Sequence, residues 1–130
     1  MNINRPVDIE NEIRLALASY LNAYNRPLPE NFSLPNILIK NAGGNSTDTI
    51  DSFIVSLEAR AKYDAEAYEY LTTAIGLLEA QANAQVGALR SVKVNSLASW
   101  GSDPARPDLK LATATVIVTA HRAKITIPES

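Results

Sequence analysis

The sequence predicts an α+β fold, a two-layer sandwich in which two helices cover one face of a four-stranded, largely antiparallel sheet. Three observations lead there. In residues 109–127 the apolar Ala112, Ala114, Val116, Val118 and Ala120 alternate with Thr113, Thr115 and Thr119, the period of a strand with one buried face. Residues 51–61 repeat the pattern, with Phe53, Val55, Leu57 and Ala59 set against Ser52, Ser56, Glu58 and Arg60. Residues 6–24 and 64–84 instead carry apolar side chains at three- and four-residue spacing. Helices with one apolar stripe and strands with one apolar face bury themselves together as layers.

The first helix is expected over residues 6–24. Pro6 suits a first turn, Asp8 and Glu10 favour the positive end of the dipole, and Ile9, Ile13, Leu17, Tyr20, Leu21 and Tyr24 form its stripe. Glu10 and Arg14 stand one turn apart as an ion pair. Residues 25–35 hold three prolines and read as an ordered loop anchored by Leu28, Phe32 and Leu34. A short strand over 36–41 follows, then a loop over 42–48 that turns at Gly43 and Gly44.

The strand over 51–61 leads into the second helix. Asp64 is its expected N-cap, Tyr63 and Tyr68 form a staple, and the buried stripe is Tyr68, Leu71, Ile75, Leu78 and Ala82. Gly76 inside that helix implies close approach of another backbone. Residues 88–100 form a strand with Val92, Val94, Ala98 and Trp100 on one face, and the proline-bearing loop 101–108 connects it to the last strand. The element order is α-β-β-α-β-β within one domain, residues 1–130. Placing the last strand between the second and third makes every pairing antiparallel and gives the order 1-2-4-3.

That last strand is too long for its domain. At about 3.3 Å per residue it would run roughly 60 Å, against a diameter of roughly 35–40 Å for a compact chain of this length. It must bend, or residues 121–127 must leave the body. Ala123, Ile125 and Ile127 share a face with His121, opposite Val116 and Val118, and Arg122 and Lys124 flank them. His121, Arg122, Ala123, Lys124, Ile125 and Ile127 are therefore the expected self-assembly or partner contacts. Gly43, Gly44 and Asn45 in one loop, and Asp103 and Arg106 in the other, are further expected contacts.

The composition excludes several classes. With 12 Lys and Arg against 14 Asp and Glu, and no long run of one sign, the chain lacks the charge of a non-specific nucleic-acid binder. The absence of cysteine removes disulfides, thiolate metal sites and cysteine nucleophiles. No apolar h-region opens the sequence and no apolar run is long enough to cross a membrane, so a soluble protein made in a cytoplasm is expected. His121 is the single histidine and has no second ligand type around it. Gly43-Gly44 is followed by neither Lys-Ser nor Lys-Thr, and a strand comes next, so it is not a phosphate loop. No catalytic, metal or cofactor site is predicted, and the chain is not expected to be an enzyme.

The N-terminal amphipathic helix, the proline-bearing loop, the helix DAEAYEYLTTAIGLLEA and the strand pair SLASWGSDPARPDLKLATATVIVTAH resemble the tail terminator proteins of long-tailed, lambda-like bacteriophages. The resemblance implies a structural protein of the virion neck, assembled in the host cytoplasm. It would form a six-membered ring on the end of the tail tube, stop tube polymerisation and offer a joining surface to the head connector or stopper. Its implied partners are further copies of itself, the tube protein and the connector, with DNA passing through the ring, no sequence-specific nucleic acid and no membrane. Another neck or tail-tube component is the alternative. A small ligand-binding regulatory module comes after that, and would need a pocket with convergent polar groups.

Overall fold

The computed structural model describes residues 1–47 and 50–129, without the side chain of Ala98. In chain order the elements are β1 (Asn2–Arg5), α1 (Ile9–Leu17), β2 (Ala23–Asn25), β3 (Asn36–Ser46), β4 (Ile50–Ala61), α2 (Asp64–Asn83), β5 (Leu89–Ser102), β6 (Lys110–His121) and β7 (Ala123–Thr126). The class is α+β, but the predicted four-stranded sheet and the α-β-β-α-β-β order are overturned. The main sheet has five strands in the order β2-β3-β4-β6-β5, and β1 and β7 form a separate two-stranded sheet. The added edge strand β2 runs parallel to β3, while the other pairs are antiparallel.

The core lies between one sheet face and both helices. β6 supplies Ala112, Ala114, Val116, Val118 and Ala120, β4 supplies Val55, Leu57, Ala59 and Ala61, and β3 supplies Ile37 and Ile39. Against them pack Ile9, Ile13 and Leu17 of α1 and Leu71, Ala74, Ile75 and Leu78 of α2. The alanines at Ala112 and Ala114 face Ala59 and Leu57 in register, a shallow surface that lets a helix approach. The opposite face is a Ser/Thr ladder in which Ser91, Ser96 and Ser99 hydroxyls bond Thr119, Thr115 and Thr113.

Several local expectations fail for identifiable reasons. α1 stops at Leu17, where backbone N–H groups of Tyr20 and Leu21 both donate to the Leu17 carbonyl at 2.9 Å and turn the chain. Leu21 of the predicted stripe still touches the core in non-helical conformation, as does Ala23 of β2. Glu10 pairs with Arg26 and accepts the Asn41 N–H at 2.9 Å, whereas Arg14 donates to Asn11 at 2.8 Å. Asp8 is the N-cap, accepting the Asn11 N–H at 3.2 Å.

Gly43 and Gly44 are not a turn. They form a bulge within β3 between Asn41 and Gly44, and the strand continues to Ser46 opposite Asp51. Gly44 has a φ of +156°, and a Cβ there would sit 1.9 Å from the Ser52 carbonyl oxygen, so only glycine fits. The chain reverses after Thr47, whose N–H and hydroxyl both donate to the Ile50 carbonyl at 2.9 Å. Asp48, the last residue of the predicted loop, lies outside the described residues.

At α2 the N-cap position is Tyr63, with no side-chain cap, and Asp64 is the first helical residue. Tyr63 and Tyr68 are both exposed, so no staple forms and Tyr68 leaves the buried stripe for Ala67. Gly76 has nothing outside its own turns of helix within 4 Å of where its Cβ would be, so among the described residues no other backbone approaches it. β5 is an edge strand with register breaks, and Val94 and Trp100 are exposed although they belong to its helix-side row. Leu28, Phe32 and Leu34 are half-buried along the loop that brings β2 beside β3.

The inward and outward rows of β6 make a direct test. Val116→Asp places an unpaired charge in a site with no exposure and should abolish folding, a cost of several kcal/mol against a total stability of about 5–15. Thr115→Asp, on the hydroxyl ladder, should leave a cooperative melt. Equal loss of melting temperature in the two would contradict the assigned faces.

Candidate functional site

The predicted final strand is two strands in two different sheets. β6 ends at His121 opposite Ile50, Arg122 interrupts the ladder, and β7 then pairs antiparallel with β1, Ile3 against Ile125 and Arg5 against Ala123. The partner of this segment within the chain is thus its own first strand, which the sequence reading left unassigned. The signal was the alternation Asn2-Ile3-Asn4-Arg5, too short to stand out. The Ile127 N–H donates to the Met1 carbonyl at 2.7 Å, and the Met1 amine donates to the Ile127 carbonyl at 3.0 Å. All four residues of β1 are exposed, and neither Ile3 nor Ile125 belongs to the core. Two strands alone are marginal in water, and this pair is held by its own ladder and by the ion pair at its root.

The root is Asp51. Its carboxylate is 3% exposed and accepts the Ser46 hydroxyl and two guanidinium bonds from Arg122, at 3.1 and 3.3 Å. This fixes the point where β6 passes into β7. Burial pushes the Asp51 carboxyl up, but the Ser46 hydroxyl and Arg122 outweigh it and hold the group below the usual carboxylate range. Arg122 therefore serves the fold from within the expected contact segment. His121 is exposed, and its backbone N–H donates to the Ala88 carbonyl at 3.1 Å. Ala123 and Ile125 are half-buried, while Lys124 and Ile127 are exposed.

The remaining expected contacts are scattered. Gly43, Gly44 and Asn45 are exposed on the outer half of β3, beside a cleft of about 240 Å³ that Asp51 and Phe53 also line. Asp103 lies at the far end of the sheet and is buried. It accepts from Arg60 and from the Ala105 N–H, each at 2.9 Å, which ties the β5–β6 connection to β4. Burial raises the Asp103 carboxyl, and the Arg60 bond and the Ala105 N–H together bring it below its ordinary range. Its oxygens are spent on the fold rather than offered to a partner. Arg106 is exposed and pairs with Asp108 at 3.2 Å.

A cleft of about 350 Å³ runs along the ribbon, lined by Asn2, Ile3, Asn4, Lys124, Ile125 and Thr126. It holds one charge and no nucleophile–base pair. Among the described residues no group of three or more His, Asp or Glu could hold a metal ion, and no helix is long and apolar enough to cross a membrane. At the opposite end, the rings of Tyr68 and Trp100 stack at 5.3 Å although they are 45% and 53% exposed. Sequence reasoning gave both side chains to the core. No protein-family model and no curated protein matches this chain.

The Asp51 and Asp103 pairings predict the acid response. Both carboxyls are held low, so their stabilisation is complete above the unfolded-chain value of about 3.9 and is lost as pH falls below it toward the folded values. Arg122→Met should cost about 2 kcal/mol at neutral pH, less than in a fully buried pair because Arg122 is 24% exposed. It should also move the acid-unfolding midpoint to higher pH. Denaturant titrations at several pH values measure both, and an unmoved acid midpoint would remove Asp51 from this role.

Proposed function

We propose that this chain is a structural assembly protein of the tail-terminator kind, which closes into a ring of six on the end of a phage tail tube. There it stops tube growth and presents a joining surface to the head connector, and it resides in the neck of the virion with DNA passing through the ring. The observation that carries the reading is the β1–β7 ribbon, a two-stranded sheet separate from the main one that adds no side chain to the core. An element of that kind gains stability by lying against another surface. The long edge strand β5, with Val94, Leu97 and Trp100 exposed, is a second unfinished surface on the same molecule. Two different unfinished surfaces suit heterologous, head-to-tail contacts, which close into a ring when the rotation allows.

The fifth strand and the ribbon narrow the likeness in element order, so the weight of the proposal rests on these surfaces. Native mass spectrometry and light scattering of the purified protein, alone and with tail tubes, test it. The expected species has the mass of six 14.1 kDa chains and caps tube ends. A monomer that neither assembles nor binds tubes would contradict the reading, and so would unlimited polymerisation.

A further inference from the structure

The two unfinished surfaces lie at opposite ends of the molecule. The ribbon leaves the body where Ile50 pairs with His121, and the Tyr68–Trp100 stack sits near the end where Ala61 pairs with Lys110. The intervening β6 spans 12 residues, or roughly 40 Å. A ribbon anchored at one end cannot cover the aromatic pair of its own chain.

The surfaces are complementary. In the ribbon register Ile3 faces Ile125 and Arg5 faces Ala123, so Ile3, Arg5, Ala123 and Ile125 share one face, apolar with a cation at its base. Lys124 stands on the other face, and among the described residues neither Arg5 nor Lys124 makes an ion pair. The ribbon strands themselves contain no acid. At the other end, Tyr68 and Trp100 form an exposed aromatic anchor of the type that dominates protein interfaces. Asp64 and Glu69, both exposed, lie within about 6 Å of Tyr68 along the helix axis. α2 carries Asp64, Glu66, Glu69 and Glu79 and no basic residue.

We infer that the Ile3–Ile125 face of the ribbon of one copy docks on the Tyr68–Trp100 stack of the next copy, with Arg5 of that same face reaching the carboxylates of its α2. The inference rests on the ring reading and names the two surfaces that join. It accounts for an aromatic pair left in solvent and for a ribbon that adds no side chain to the core of its own chain.

The test is a charge exchange. Arg5→Glu alters the docking face of the ribbon, and Asp64→Lys with Glu69→Lys alters the helix; all three side chains are exposed, and melting curves establish that each variant folds. Each variant alone should raise the concentration for half-assembly at least about tenfold, because like charges then meet at every contact. An equal mixture of the two should assemble near the wild-type concentration, since alternating copies restore opposite charges at each junction. Rings formed by either variant at the wild-type concentration would overturn this contact while leaving the ring itself. Rings that form but no longer cap tubes would assign the ribbon to the tube, against the inference. A wild-type chain that never assembles would overturn both.

Discussion

β6 is hydrogen-bonded along both edges, to β4 on one side and β5 on the other, and the remaining elements take their places from it. Its inward row is buried from Ala112 to Ala120, which leaves a surface shallow enough for helices to lie against. β4 repeats that row in register, so the two strands present one apolar plane and both helices settle on the same side. The opposite row is made of hydroxyls that bond across strands, which satisfies that face without a second layer. The α+β class follows from this asymmetry.

The same strand leads the chain from the main sheet into the second one. At Arg122 the ladder breaks, and the guanidinium is held by Asp51, a carboxylate on the neighbouring strand that Ser46 also bonds. A buried ion pair is a poor source of net stability, because desolvation offsets most of the attraction. Its geometry is specific, however, and here it sets where β7 departs. A second buried pair, Arg60 with Asp103, does comparable work at the opposite end of the sheet. The fold thus ends in two polar locks, with the ribbon beyond one and the aromatic stack near the other.

How much of this could be read from the residues depended on period and length. The strands β4 and β6 and the body of α2 were legible because ten or more residues kept one period. β2 was not, since Tyr20, Leu21 and Tyr24 hold helical spacing while the backbone turns at Leu17. Gly43 and Gly44 read as a turn because the same left-handed freedom serves a turn and a bulge, and only the close Ser52 carbonyl separates the two. Tyr68 and Trp100 carry core-like spacing, but β5 is an edge strand and leaves them uncovered. The overlong strand was visible from arithmetic alone. Its companion β1 was not, because four residues carry too little pattern to identify a strand. Asp51 and Asp103 gave no sequence signal, as their partners lie 71 and 43 residues away.

The central claim is that the ribbon belongs to assembly and the five-stranded body folds without it. The most direct measurement is a chain ending at Arg122, which loses β7 and keeps the Asp51 pair, compared with the full chain for melting temperature and oligomeric mass together. The account predicts a melting temperature within a few degrees of the full chain, since the ribbon contributes no core side chain, and complete loss of the ring. A truncated chain that still forms the ring, or one that no longer folds, would contradict it.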